Sequence, residues 1–246
     1  MRIAITGANG QLGQALQAAL QGEHELIALG HGELELGAPA CVEQLASTGA
    51  ELVIHPAAYT DVDGCARDPE RAFRVNCLGT QYVALACRRL HAPLVYVSTN
   101  EVFDGTANAP YFEYDRAAPI NAYARSKWGG EQAVRELLDR FYIVRVAWLF
   151  GGARNFIRTV LRLAAERDSI TMVADEIGSP TYAPDVAAAV ACLIELPAYG
   201  TYHLVNQGVC SRLELAAETL RLAGKQHVEL RPIGLADFKR DSMVPR

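Results

Sequence analysis

The first half of the chain alternates between short apolar runs and longer segments with apolar residues at every third or fourth position. The short runs are typical of buried strands, and the longer segments of amphipathic helices. The pattern predicts strands at Arg2–Thr6, Leu26–Leu29, Leu52–His55, Leu94–Ser98 and Tyr142–Ala147. It predicts helices at Gln11–Gln21, Pro69–Leu90 and Asn121–Leu138. This alternation indicates an α/β fold, in which a parallel sheet is joined by crossover helices.

After residue 148 the periodicity continues with irregular spacing. A capping box at Ser211-Arg212-Leu213-Glu214 predicts a further helix, and the loop over 178–184 is rich in Gly, Ser and Pro. The remaining predicted elements are helices at Asn155–Arg167 and Pro184–Leu196 and strands at Ile170–Val173 and Thr201–Val205. We expect one domain over residues 1–148, to which the segment of about 169–196 returns, and a smaller interleaved part over 149–246.

Composition excludes several classes of function. With 23 Lys and Arg against 28 Asp and Glu, the net charge is -5, whereas binding to nucleic acid needs clustered positive charge. The chain begins without the charged and apolar regions of a signal peptide, and its apolar runs are too short to span a bilayer. The six cysteines and six histidines form no ligand pattern, so we expect buried, reduced thiols and no metal. The expected location is the cytoplasm, with no membrane or nucleic-acid partner.

A glycine-rich turn follows the first predicted strand. Gly7, Gly10 and Gly13 stand between that strand and a helix, where backbone amides and the helix dipole can hold a pyrophosphate. This position indicates a dinucleotide cofactor. The second strand ends in Gly30-His31-Gly32, without a carboxylate to bind the ribose of NAD or an arginine to bind the 2′-phosphate of NADP. Both NADPH and NADH are therefore allowed, and His31 is either a phosphate contact or a solvated loop residue.

Candidate catalytic groups lie further along the chain. Tyr123 and Lys127 are four residues apart on a predicted helix, so the phenol and the ammonium share one helix face. A nearby ammonium favours the phenolate and would make the tyrosine a better acid–base group near neutral pH. Ser98 and Thr99 end a buried strand at the sheet edge where α/β folds bind ligands, so either hydroxyl could orient a substrate carbonyl.

In this order the glycine turn, the Ser-Thr strand end and the Y-x-x-x-K unit resemble the extended short-chain dehydrogenase/reductase superfamily. Longer motifs resemble its dTDP-4-dehydrorhamnose reductase branch. These motifs are Thr6–Gly13, Ala57–Asp63, Ser98–Gly105, Asn121–Lys127, Trp148 with Asn155-Phe156, Ile177–Tyr182 and Tyr202–Asn206. The resemblance covers nearly the whole chain. It implies a doubly wound parallel sheet of the Rossmann type, with a smaller C-terminal part that binds substrate.

The resemblance also implies reduction of the C4 ketone of dTDP-4-dehydro-β-L-rhamnose to dTDP-β-L-rhamnose by NADPH or NADH. Tyr123 would donate the proton, with Lys127 as its partner and Thr99 as the carbonyl-binding hydroxyl. The residues implied for the cofactor are Gly7, Gly10, Gln11, Leu12, Gly13, Glu35, Leu36, Ala57, Ala58, Tyr123 and Lys127. Those implied for the nucleotide sugar are Thr99, Asn100, Trp148 and Asn155. A homodimer is compatible with the resemblance.

The chain departs from the family at several positions. Asn100 stands where the family commonly has Asp, which removes a charge and leaves the identity of the sugar nucleotide open. His55 replaces an asparagine and is either a core residue or a ligand contact. Relatives usually continue beyond Arg246 with a further segment that faces the substrate. Two other functions remain open: another nucleotide-sugar reductase or epimerase, and an NADP-binding subunit without catalysis, like the regulatory subunit of methionine adenosyltransferase.

Overall fold

The computed structural model describes residues 1–245. The strands are β1 (Arg2–Thr6), β2 (Glu25–Leu29), β3 (Leu52–His55), β4 (Leu94–Thr99), β5 (Phe141–Val146), β6 (Leu149–Phe150), β7 (Ser169–Val173), β8 (Ile177–Gly178), β9 (Thr181–Tyr182), β10 (Gly200–His203), β11 (Cys210–Ser211) and β12 (Glu229–Ile233). The α-helices are α1 (Gln11–Leu20), α2 (Cys41–Ala46), α3 (Val62–Arg67), α4 (Pro69–Ala72), α5 (Gly79–Leu90), α6 (Ala122–Leu137), α7 (Phe156–Glu166), α8 (Ala183–Ile194) and α9 (Arg212–Leu222). Most predicted elements are confirmed with small shifts at their ends, whereas α2, α3, β12 and the two-residue strands β6, β8, β9 and β11 have no counterpart in the prediction.

Six strands form one parallel sheet in the order β10-β5-β4-β3-β1-β2. The direction of winding reverses between β1 and β3, so the loops that follow these two strands part at the carboxyl edge. In open α/β sheets this point is where ligands bind. The expected doubly wound parallel sheet is therefore confirmed.

Helices cover both faces of this sheet. On one face α1 and α8 pack on the sheet, with Leu16 and Val186 in one core with Ile5. On the other face α2, α5 and α6 bury a second core that includes Val83 and Tyr96. Because both faces are covered, the central strands are apolar along nearly their whole length, which explains the continuous apolar runs in the sequence.

The C-terminal part has a core of its own, formed by α7, α9 and the parallel pair of β7 and β12. The segment expected to return to the first domain is divided. Helix α8 packs on α1, whereas β7 pairs with β12 outside the main sheet. Strand β10 joins the main sheet beside β5. The chain thus crosses between the two parts several times, and the boundary at residue 148 stays a prediction.

The helix predicted at Pro69–Leu90 is interrupted. Between α4 and α5 the backbone forms a π-helical segment over Phe73–Leu78. Its buried Asn76 accepts a hydrogen bond from the Tyr59 backbone nitrogen at 2.7 Å and donates to the Tyr59 carbonyl at 2.9 Å and to the Ser126 hydroxyl at 2.9 Å. A π-bulge often re-aims a side chain at a functional site, and here it ties the loop after β3 to α6.

The expectations about the cysteines and about membrane-spanning helices can be compared with the structure. Cys41, Cys65, Cys77 and Cys87 are buried free thiols, as expected. The expectation is wrong for Cys210, which is half-buried, and for Cys192, which is exposed. Cys192 lies two residues beyond buried Val190 and so faces away from α1. Within residues 1–245, no helix combines the length and the apolar character needed to cross a membrane.

Candidate active site

A cleft of about 1000 Å³ opens at the carboxyl edge of the main sheet. All but one of the residues proposed from the sequence for catalysis, cofactor or substrate line it. They are Gly7, Gly10, Gln11, Leu12, Gly13, Glu35, Leu36, Ala57, Ala58, Thr99, Asn100, Tyr123, Lys127 and Trp148. The exception is Asn155, whose side chain caps α7 by accepting from Arg158 N at 3.0 Å and donates to Gly152 O at 2.8 Å. These bonds hold the Asn155 amide at the start of α7, and its assignment to the substrate site stays a prediction.

The glycine turn between β1 and α1 is shaped for a close ligand. Gly7 has a φ of +59°, and a Cβ there would lie 2.8 Å from the Ala57 Cα. A Cβ on Gly13 would overlap the Gly7 carbonyl oxygen. Only glycine therefore allows this turn to meet both the loop after β3 and the start of α1. The turn leaves the N-terminus of α1 bare beside the cleft, as a pyrophosphate site requires.

Helix α6 presents the Tyr–Lys pair to the cleft. The N-cap of this helix is Asn121, whose Oδ1 accepts a hydrogen bond from Ala124 N at 2.7 Å. Tyr123 and Lys127 follow one turn apart and are both buried. Within residues 1–245 the Lys127 Nζ has no hydrogen-bond partner, and it lies 4.1 Å from the centre of the Tyr96 ring. A buried ammonium without a partner costs free energy, so this atom is suited to receive hydroxyls of a bound ligand.

Burial also changes the proton affinity of this lysine. It lowers the pKa of Lys127 to about 7, although the carboxylate of Glu131 opposes the shift. Taken out of water, the ammonium loses hydration that the Tyr96 ring only partly replaces. The hydroxyls of a nicotinamide ribose would supply the missing hydrogen bonds. The unpartnered Nζ and the glycine turn together are compatible with a bound dinucleotide.

The sequence-based argument about Tyr123 needs correction. We expected the neighbouring ammonium to lower the phenol pKa, but the pKa of Tyr123 is raised well above its usual value. Burial is the largest cause, followed by the carboxylate of Glu101, while a hydrogen bond with Thr99 acts in the opposite direction. Tyr123 is therefore protonated near neutral pH, which is the state that a proton donor needs.

The structure distinguishes between the two hydroxyls at the end of β4. Ser98 Oγ donates to Glu131 Oε1 at 2.6 Å in the protein interior. Thr99 lines the cleft beside Tyr123, and its Oγ1 accepts from Glu101 N at 3.2 Å. Because Ser98 is engaged by Glu131, Thr99 is the hydroxyl that can meet a substrate carbonyl. His55 is a core residue: it is fully buried, and its Nδ1 is 2.6 Å from Thr6 Oγ1.

Two residues that line the cleft were missed in the sequence. Glu101 receives a hydrogen bond from Asn121 Nδ2 at 2.7 Å, and burial raises the pKa of its carboxyl group. Arg212 is the first residue of α9, and its guanidinium carbon lies 3.5 Å from the centre of the Trp148 ring. A signal for Glu101 existed, since it lies only two residues beyond Thr99 at the end of the Ser-Thr strand. None existed for Arg212, which is far from the other site residues in the chain.

Trp148 occupies a constrained position. Its φ of +41° lies in the left-handed region, which is unusual for a bulky residue and costs about 1–3 kcal/mol. A Cβ on Gly178 would lie 2.7 Å from the Trp148 Cζ2, so the indole packs directly against the backbone of β8. Backbone strain of this kind concentrates at ligand sites, where the surrounding structure holds it in place.

The end of β2 differs from the expectation that no carboxylate stands there. Glu33 folds back on the strand, and its Oε2 accepts a hydrogen bond from Gly30 N at 2.9 Å. In dinucleotide-binding folds an acidic residue about 20 residues beyond the glycine turn binds the ribose 2′-hydroxyl of NAD. Glu33 has this spacing but is not among the residues that line the cleft, whereas nearby His31 is. The strand end thus carries a carboxylate that the local sequence pattern concealed. Residues 1–245 contain no group of three or more His, Cys, Asp or Glu side chains able to hold a metal ion.

A glycine turn at the switch point of a parallel sheet, together with a buried Tyr–Lys pair and a threonine hydroxyl in the same cleft, defines an NAD(P)-dependent oxidoreductase of the short-chain dehydrogenase/reductase type. The family model described as RmlD substrate binding domain matches residues 1–246. The chain belongs to this family.

Named relatives support the assignment. The chain is 40% identical to the dTDP-4-dehydrorhamnose reductase of Mycobacterium tuberculosis, over 97% of this chain and 81% of the relative. A crystal structure of the dTDP-4-dehydrorhamnose reductase of Clostridium acetobutylicum superposes with a TM-score of 0.96 at 36% identity, covering 100% of this chain and 88% of that one. The Bacillus anthracis reductase, solved in complex with NADP, has a TM-score of 0.95 at 39% identity, with 99% and 88% of the two chains covered.

Proposed function

We propose that the protein reduces the C4 ketone of dTDP-4-dehydro-β-L-rhamnose to dTDP-β-L-rhamnose with NADPH or NADH. The family and the names of its relatives support this reaction. One observation carries the proposal: a protonated, buried Tyr123 lies in the cleft that the glycine turn opens, together with a Lys127 ammonium that has no hydrogen-bond partner among residues 1–245. This arrangement suits proton transfer to a carbonyl oxygen next to a dinucleotide.

When bound, the reduced nicotinamide supplies a hydride to the carbonyl carbon. We propose that the hydroxyl of Thr99 orients the ketone oxygen and that Tyr123 transfers its proton to this oxygen. The phenolate that remains on Tyr123 is unfavourable in a buried site beside Glu101. Lys127, one helical turn away, is the cation that can stabilise it. A positioned proton donor of this kind contributes about 100- to 10,000-fold in rate.

The remaining site residues divide into two groups in this proposal. The glycine turn, Gln11 and Leu12 face the cofactor pyrophosphate, while Ala57 and Ala58 line its adenosine side. Glu35 and Leu36 also lie on the adenosine side. Asn100 and Trp148 contact the nucleotide sugar. The main sheet with its helices holds the cofactor, and the C-terminal part completes the substrate site.

The test is to follow oxidation of NADPH and of NADH with dTDP-4-dehydro-β-L-rhamnose as the substrate. Tyr123→Phe should lower kcat by about 100-fold or more, because it removes only the donated proton, and should leave cofactor binding intact. Tyr114→Phe is the matched control, since Tyr114 is 82% exposed and does not line the cleft. Absence of turnover by the unmodified protein with both cofactors would contradict the proposed reaction. Full activity of Tyr123→Phe would remove Tyr123 as the acid.

A further inference from the structure

Arg212 combines three properties that together suit a ligand contact. It lines the catalytic cleft, its side chain is only 21% exposed, and its guanidinium stacks on Trp148. Its position is fixed by Glu176, whose Oε1 accepts from Nε at 3.1 Å and from Nη2 at 2.9 Å. The stack and the ion pair hold the guanidinium in one orientation, so little side-chain entropy would be lost on binding.

The ion pair leaves hydrogen-bonding capacity unused. A guanidinium has five N–H donors, and Glu176 engages one on Nε and one on Nη2. Both donors on Nη1 and the second donor on Nη2 have no partner among the side chains and backbone groups described. Planar, paired donors of this kind match the oxygens of a phosphate better than those of a sugar hydroxyl.

The distribution of charge assigns these donors to the substrate side of the cleft. Arg71 stacks on Tyr59, and Arg74 lies beside Gly37, next to the Glu35 and Leu36 stretch proposed for the adenosine. Lys127 is buried one helical turn from Tyr123. Arg212 is therefore the arginine of the cleft that lies at Trp148. A ligand that approaches the covered face of this indole meets the guanidinium before the ring.

We propose that Arg212 binds the diphosphate of the nucleotide-sugar substrate through the N–H donors that Glu176 leaves free. The proposal rests on the proposed function for the class of substrate and adds the residue that recognises its charge. In this role Trp148 acts as the platform that keeps the guanidinium flat and directed into the cleft. Arg212 is then a determinant of specificity that distinguishes nucleoside diphosphates from uncharged sugars and nucleosides.

The test compares two ligands that differ only in the diphosphate. Calorimetric titrations with dTDP and with thymidine, both in the presence of NADP⁺, measure how much of the affinity depends on phosphate. We expect Arg212→Gln to weaken dTDP about 10- to 100-fold, the range for hydrogen bonds to charged groups, and to leave thymidine nearly unchanged. Arg212→Lys keeps the charge without the planar donors and should recover part of the lost affinity.

The control is Arg221→Gln on the same helix. Arg221 is exposed and pairs with Glu218, outside the cleft, so its loss should change neither titration. If Arg212 only supports Trp148, Arg212→Gln will weaken dTDP and thymidine by the same factor, and the proposal is overturned. It is overturned as well if the unmodified protein binds dTDP no better than thymidine. Retained NADP⁺ binding shows that each variant is folded.

Kinetics separate this inference from the proposed reaction. With the dTDP sugar as substrate, Arg212→Gln should raise KM far more than it lowers kcat, because the diphosphate is distant from the reacting carbon. If the unmodified protein turns over the dTDP sugar but Arg212→Gln keeps the same ratio of dTDP to thymidine affinity, the role of Arg212 is rejected and the proposed reaction stands. If Arg212→Gln loses the preference for dTDP over thymidine but the unmodified protein does not turn over the dTDP sugar, the proposed reaction is rejected and the diphosphate site stands.

Discussion

Arg145 donates to Glu131 through two hydrogen bonds, from Nε to Oε1 at 2.9 Å and from Nη2 to Oε2 at 2.8 Å, and both side chains are buried. Glu131 lies four residues after Lys127 on α6, and Arg145 lies on β5. The Ser98 hydroxyl joins the same carboxylate from β4. The helix that carries Tyr123 and Lys127 is thus fixed to the two strands β4 and β5.

Breaking this pair should destabilise the protein strongly. Glu131→Gln should lower the free energy of unfolding by about 3–5 kcal/mol, because the charge of Arg145 would remain buried without its counterion. Urea titration measures the change. Glu218→Gln is the control, since Glu218 pairs with Arg221 at the surface, and no measurable change is expected. Equal stability of the two variants would show that the buried pair contributes no more than a surface pair.

The glycine turn allows a second prediction. Gly13→Ala should weaken NADPH binding about tenfold or more, because its Cβ would overlap the Gly7 carbonyl and lie 2.8 Å from the Ala8 Cα. Backbone atoms in this tight turn cannot move away without strain, and overpacking of this kind costs about 1–3 kcal/mol. Fluorescence titration with NADPH measures the effect. Gly32→Ala is the matched control, since a Cβ there meets nothing within 4 Å. NADPH affinity unchanged in Gly13→Ala would contradict the assignment of the turn.

Lys127 makes stability depend on pH. Burial lowers its pKa in the folded protein to about 7, whereas an unfolded lysine titrates near about 10.4. Between these values the unfolded chain binds more protons than the folded one, so this group makes the free energy of unfolding rise with pH. The slope is at most about 1.4 kcal/mol per pH unit.

The measurement is urea unfolding of the unmodified protein and of Lys127→Met at about pH 7.5 and about pH 8.5, where the slope of this one group is largest. The difference in stability between the two proteins should shift in favour of the unmodified protein as the pH rises. Lys239→Met, at an exposed position, controls for the loss of a lysine. Parallel pH profiles of the unmodified protein and Lys127→Met would contradict a lowered pKa.

Cofactor choice should depend on Glu33. Its carboxylate accepts from Gly30 N at the end of β2, where an acidic residue of a dinucleotide-binding fold binds the ribose hydroxyl of NADH and repels the 2′-phosphate of NADPH. Glu33→Ala should therefore raise the ratio of kcat/KM for NADPH over NADH, by about tenfold for one lost charged hydrogen bond. Glu23→Ala, another exposed glutamate, is the control. A ratio equal to that of the unmodified protein would exclude Glu33 from cofactor recognition.

A further prediction concerns His31 at the same strand end, which is either a contact for the 2′-phosphate or a solvated loop residue. If His31 contacts the 2′-phosphate, His31→Ala will lower the ratio of kcat/KM for NADPH over NADH. We expect this decrease because His31 lines the cleft. An unchanged ratio would assign His31 to a solvated loop.

The sequence by itself determined the parallel α/β sheet, the glycine turn and the Tyr123–Lys127 pair. These features depend on spacing within one strand, turn or helix, so short stretches of sequence are sufficient to specify them. For the same reason the predicted ends of most strands and helices are close to those observed. Local spacing also predicted that Thr99 reaches the ligand-binding edge, although it left Ser98 as an equal candidate.

Only the tertiary structure decided the rest. Glu131 accepts a hydrogen bond from Ser98, which favours Thr99 as the candidate hydroxyl for the substrate. Asn76 reaches the loop after β3 from a π-helical segment, and Arg212 stacks on Trp148. The raised pKa of Tyr123 likewise depends on burial and on Glu101 rather than on its helical neighbour. These contacts join residues far apart in the chain. Their energies come from desolvation and packing, which exist only once the elements have come together.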